Sequence, residues 1–167
     1  MTDDTAATSE PLDGSVEPPA RKLGGVKVVG ILGIIAGILL IVVGIVAWIA
    51  VSTQLREENI TVADDAMAFQ GAQVAGPFTA YVQAEVIQQH ALEMADGQTY
   101  AELPMDDPVR ATVMDASFLR ASLFTSVVSF GVAAFAIGMG ILSILFGWAL
   151  HRLAVAPVVV RRATVVP

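Results

Sequence analysis

Val28-Val-Gly-Ile-Leu-Gly-Ile-Ile-Ala-Gly-Ile-Leu-Leu-Ile-Val-Val-Gly-Ile-Val-Ala-Trp-Ile-Ala-Val51 contains no charged residue. A second block, Ala121–Leu150, is also free of charge. About 20 apolar residues cross the hydrocarbon layer as a helix. A soluble helix needs one polar face, and neither block supplies it. In lipid every N–H and C=O must be paired within its own segment, which leaves the helix as the form both blocks take. The expected fold is an all-α membrane protein: a transmembrane helical hairpin with a mostly helical extracytoplasmic loop.

The first block follows Arg21, Lys22 and Lys27, and Ala50-Val51-Ser52 resembles a cleavage site for a secretion signal. Its apolar core is far longer than the roughly 7–15 residues of such a signal, so a retained anchor is expected.

Charge sets the orientation. Arg21, Lys22 and Lys27 precede the first block; Arg152, Arg161 and Arg162 follow the second. The loop between them holds three arginines (Arg56, Arg110 and Arg120) against eleven acids, a formal charge of −8. Basic residues near span ends stay inside, so both termini are expected in the cytoplasm and the loop outside, in the cell membrane. Lys27, Trp48, Arg120, Trp148 and Arg152 are the expected interfacial anchors.

Residues 1–26 form an expected disordered cytoplasmic tail, too poor in large apolar side chains to offset chain entropy. The first span is expected at 27–52 and the acidic loop at 53–120. The second span is expected at 121–152, with a basic cytoplasmic tail at 153–167. Within the loop, Ile60-Thr61-Val62 reads as a short extended piece. Pro77 suits a first helical position and Asp96-Gly97 a stop. Between them Phe78, Val82, Ile87, Leu92 and Met94 form an apolar side, and Gln83, Glu85, Gln88, Gln89 and Glu93 a polar one. An amphipathic helix of about five turns is predicted, lying against the membrane or a partner. Asp107 can cap and Pro108 can start the last helix, so residues 108–120 are expected to extend the second span.

Both spans are rich in small residues. Gly30, Gly37 and Gly44 recur every seven positions, and Gly33-x-x-x-Gly37 has the spacing of a close helix-packing face. The second span carries Gly131, Gly138, Gly140 and Gly147, with Ala134-x-x-x-Gly138 and Ala136-x-x-x-Gly140 as small pairs. These residues are the expected packing interface, on more than one face. Ser122, Thr125, Ser126, Ser129 and Ser143 have two options: bonds across helices or bonds back to their own turn.

The chain has no cysteine and two histidines, His90 in the loop and His151 at the far end of the second span. A membrane thickness separates them in this topology, which rules out a shared metal. The acid pairs Glu57-Glu58, Asp64-Asp65 and Asp106-Asp107 are sequence neighbours, whose side chains point apart. No Walker loop, G-x-G-x-x-G after a strand, G-x-S-x-G or H-E-x-x-H occurs. Neither span carries an ionisable group, which argues against transport by this chain alone. A formal net charge of −7 argues against nucleic-acid binding.

Leu55–Val62, Gly76–Tyr81, Asp107–Met114 and Ala116–Ser126 together resemble a family of small actinobacterial two-span membrane proteins. The resemblance covers about Arg21 to Arg152. Members often carry the label aromatic-ring-opening dioxygenase. An extradiol iron centre needs two histidines and a carboxylate in one pocket. One histidine on each side of the membrane does not meet that need, so the resemblance implies membership without a catalytic residue to transfer.

The expectation is therefore a non-enzymatic accessory or structural subunit without a cofactor or metal. Its partners would be membrane lipids and other membrane-protein subunits. By analogy alone, a respiratory oxidase or cytochrome assembly is the first partner class to test. An extracytoplasmic ligand-binding or sensing module anchored by two helices is the alternative.

Overall fold

The computed structural model describes residues 23–155. The acidic tail before this range and most of the basic tail after it, with their predicted roles, lie outside the described residues. Three helices follow in order: α1 (Leu23–Glu57), α2 (Pro77–Met94) and α3 (Arg110–Val155). Both α1 and α3 are long and apolar enough to cross a membrane. Each outruns its uncharged block: α1 continues through Arg56, and α3 begins ten residues ahead of Arg120. At 1.5 Å per residue the 46 residues of α3 make a rod of about 69 Å.

α1 and α3 pack antiparallel along their apolar lengths, with Gly30 near Gly147 at one end and Gly44 near Ala133 further along. Lys27 and Arg152 belong to the first of these ends. Everything between the two rods gathers at the other end as a cap.

The cap is built on α3. Tyr81 of α2 stacks edge-on against Phe124, with ring centroids 5.7 Å apart. Further along α2, Glu85 reaches Arg120 at 3.7 Å. Beyond the end of α2, Ala95 and Leu103 pack with Val113. The contacts move up α2 as they move down α3, so α2 runs antiparallel to α3 and stands alongside it. The sequence pattern suggested a helix lying on the membrane or a partner; its seat is instead the protein's own third helix.

The helix ends are where local chemistry puts them. Gly76 is the N-cap, with Pro77 opening the helix. The Thr79 hydroxyl accepts from the Gly76 N–H at 3.2 Å, satisfying a donor the helix cannot. At the far end Asp96 and Gly97 both take positive φ, at 50° and 83°, and break the helix. α3 starts two residues later than the predicted Pro108. The Asp107 carboxylate accepts from the Val109 N–H at 2.8 Å, and regular helix begins at Arg110.

The buried side of α2 matches the predicted one in part: Val82 and Ile87 pack against the core and Leu92 is half-buried. Ala80, Ala84, Val86 and Ala91 are buried, whereas Phe78 is 74% exposed and Tyr81 and Met94 also face outward. Alanine lets the axis of α2 approach α3 closely, and Phe78 and Met94 at its two ends are left outside. Gln83, assigned to the polar side, is half-buried and accepts from the Ala63 N–H at 3.0 Å.

Residues 58–75 close the space between α1 and α2. Ile60-Thr61-Val62 is extended, and Thr61 pairs antiparallel with Gln73 in an isolated bridge. The Val62 N–H donates to the Ala72 carbonyl at 2.9 Å, and the Val74 N–H to the Ile60 carbonyl at 2.8 Å. Val62 and Val74 are fully buried in one core with Leu55, Leu123 and Phe130. Ser52, buried on α1, donates to the Ala75 carbonyl at 2.7 Å and ties the loop to the first rod.

Candidate functional site

The most constrained surface in the molecule is the α1–α3 seam. Gly30, Gly37 and Gly44 on α1 face Gly147, Gly140 and Ala133 on α3, and both sets recur every seven residues. A β-carbon on Gly37 would sit 2.5 Å from the Gly140 carbonyl oxygen. One on Gly140 would sit 2.6 Å from the Gly37 carbonyl oxygen. Gly30 and Gly147 repeat the arrangement at 2.7 and 2.5 Å. At these positions the backbones themselves touch, and only hydrogen fits between them. Each glycine Cα–H aims at the facing carbonyl, a weak contact of about 0.5–1 kcal/mol. Gly33 lies at the margin, 3.5 Å from the Gly147 Cα by the same measure.

The predicted interface residues therefore divide. Gly30, Gly33, Gly37, Gly44, Gly140 and Gly147 meet in the seam. Gly131 and Gly138 do not: nothing lies within 4 Å of where their β-carbons would be, and Ala134 is exposed. At 3.6 residues per turn these three share a face roughly opposite the seam. Ala133, which was not singled out, fills the third seam position. Its signal was the seven-residue spacing to Gly140 and Gly147, which the four-residue pairs obscured.

The anchors also separate. Lys27 and Trp148 are exposed, and the Arg152 guanidinium lies 5.2 Å from the Trp148 ring. Arg120 is held within the cap, over Phe124 at 5.0 Å and beside Glu85. Trp48 packs edge-on against Phe130 at 4.8 Å, where the seam passes into the cap core.

Three of the five hydroxyls singled out on α3 bond locally. Thr125, Ser126 and Ser129 donate to the carbonyls of Ala121, Ser122 and Thr125, at 2.8, 3.2 and 2.8 Å.

Among the described residues no group of three or more His, Cys, Asp or Glu side chains gathers to hold a metal ion. His90 meets a single carboxylate: its Nε2 lies 2.6 Å from Asp65 Oδ2. That hydrogen bond, more than any other contact, holds the Asp65 carboxyl below its usual value. Asp65 also borders a hollow of about 520 Å³ beside α2, lined by Met67, Tyr81, Glu85 and Leu92. On the cap's far edge the Thr99 N–H and hydroxyl both donate to Glu102 at 2.8 Å and lower its pKa.

Comparison with protein-family models, curated proteins and solved structures finds no match.

Proposed function

We propose that this chain spans the membrane twice, with its termini in the cytoplasm and its acidic cap outside. In that position it serves as a non-enzymatic accessory subunit beside a larger membrane protein. The topology is supported by Lys27 and Arg152 at one end of the rods and the acidic loop at the other.

The partner role rests on one observation: the seat that α3 gives α2 continues past the start of α2, at Pro77. Phe124 and Val127 pack in the cap core. Seven residues on come Gly131 and Ala134, and seven beyond Gly131 comes Gly138. These small residues lie open on the α2 side of α3. A transmembrane helix of another subunit would fit there, in line below α2 and close to the backbone.

Gel migration in mild detergent tests the idea. Wild-type protein is expected to co-migrate with a large complex, identifiable by mass spectrometry, with respiratory oxidase subunits the first class to look for. Gly138→Leu and Ala134→Leu should release it as a folded monomer, because neither change meets the α1 seam. A wild-type chain that runs alone, or variants that stay in the complex, would overturn the proposal.

A further inference from the structure

A groove runs along the other side of α3. Ser129, Val132 and Ala136 lie ~160° around that helix from Gly131, Ala134 and Gly138, at 3.6 residues per turn. Two hollows join there. The one nearer the cap measures about 450 Å³ and is lined by Gln54 of α1 and Glu58 just past its end, with Ser122, Thr125, Ser126 and Ser129 of α3. The one further along measures about 430 Å³ and is lined by Gly44, Ala47 and Ala50 with Ala133 and Ala136. Val51 and Ser129 line both, so the two form one channel between the rods.

The channel opens for a structural reason. The small seam residues end at Gly44 and Ala133. The next positions of the same seven-residue pattern are Val51 and Ser126, and Trp48 against Phe130 wedges the rods. Alanines on both walls then leave the lower part of the groove hollow.

The channel's chemistry is graded. One half is apolar apart from Ser129. The other carries a carboxylate, a carboxamide and four hydroxyls. Three of those hydroxyls spend their protons on their own helix, so lone pairs are what they present to the groove. The polar half is therefore weighted toward acceptors, with Gln54 and Ser122 able also to donate, and through Glu58 it repels anions. Its lining contains no basic residue.

We propose that this channel binds one membrane amphiphile. Its head donates hydrogen bonds and bears no net negative charge, seated at Gln54, Glu58 and Ser122. Its chain lies between Ala47, Ala50 and Ala136. The volumes suit a single lipid-sized ligand, with few polar groups fixing an otherwise apolar body. A polyol head and an ammonium head share this chemistry. The site is on the opposite side of α3 from the proposed subunit contact, so either idea can fail without the other.

The test uses the full chain in nanodiscs of equal parts glucosyl diacylglycerol, phosphatidylethanolamine and phosphatidylglycerol, read by native mass spectrometry after release. Retention of the glucosyl lipid, the ethanolamine lipid or both, severalfold over phosphatidylglycerol, is expected. Glu58→Gln should lower the ethanolamine adduct more than the glucosyl one. Ala136→Leu should fill the channel and remove the adduct, while Gly138→Leu keeps it. Ala50→Leu fills the facing wall and decides the matter should Ala136→Leu misfold. No retained lipid, preference for phosphatidylglycerol, or an adduct indifferent to both filling variants would overturn the proposal. So would a cross-link from Ala136→Cys, in this cysteine-free chain, to the helix of another protein.

Discussion

Two seams meet on α3, and they are made differently. Against α1 the contact is glycine on glycine, backbone to backbone. Against α2 it is alanine on larger side chains, with Ala80 and Ala84 sharing a core with Leu123 and Phe130. In the proposed topology the first seam lies in lipid, where burying apolar surface is not a driving force. Close approach is then the way to gain dispersion and Cα–H···O contacts. The second seam borders water, where removing apolar area from solvent is itself favourable, by about 25 cal/mol per Å². The cap can therefore tolerate looser surroundings, and it leaves Phe78 outside. The glycine seam has no such latitude.

That contrast can be broken first at the residue the two seams share. Phe130 is 1% exposed, stacked on Trp48 and packed into the cap core. Phe130→Ala should destabilise the protein by about 3–5 kcal/mol, in reversible unfolding in mixed micelles. It should also loosen the cap to proteolysis. Stability loss with an untouched cap would show the two seams to be independent.

A smaller effect separates seam from open face. Gly37→Ala puts a β-carbon against the Gly140 carbonyl and the Ile144 backbone and should cost about 1–3 kcal/mol. Gly138→Ala meets nothing and should be neutral or stabilise by up to about 1 kcal/mol through helix propensity. Equal effects from the two alanines would contradict the seam described above.

The smallest effect touches only the cap. The lowered pKa of Asp65 means its carboxylate contributes stability that is present above its ordinary value of 3.8. That contribution is lost as pH falls through the lowered folded value. His90→Ala should bring the Asp65 titration back toward 3.8, followed by NMR of the side-chain carboxyl carbon. Both side chains are substantially exposed, so the change in stability should be slight. A titration unmoved by the substitution would remove His90 as the cause.

Much of this arrangement was legible in the residues. Two charge-free blocks announced the rods, and Pro77 and Asp96-Gly97 marked the ends of α2. Seven-residue spacing picked out Gly30, Gly37 and Gly44 before any partner was in view. The cap face was legible only in part, in Val82 and Ile87, because large side chains dominate a hydrophobic pattern while alanine barely registers in it. Ala80, Ala84 and Ala91 do the packing through their smallness, a property that apolar periodicity does not weigh. The Thr61–Gln73 pairing was equally hidden, since it joins two short segments with no strand-length pattern. On α3 the reading was divided: Gly140 and Gly147 do meet α1, whereas Ala134 and Gly138 matched a familiar motif, and the third seam position is Ala133, one residue before Ala134.

The spacing of the close contacts also restricts how this molecule can vary. Adding a single residue to α1 between Gly30 and Gly37 would swing whatever follows by ~100° about the helix axis. One end of the rod would then present isoleucine or valine to a groove that admits only hydrogen. Growth by seven restores the match, because the pattern repeats at that interval. In the proposed topology a thicker bilayer is therefore met by whole heptads added to both rods together, or by tilt.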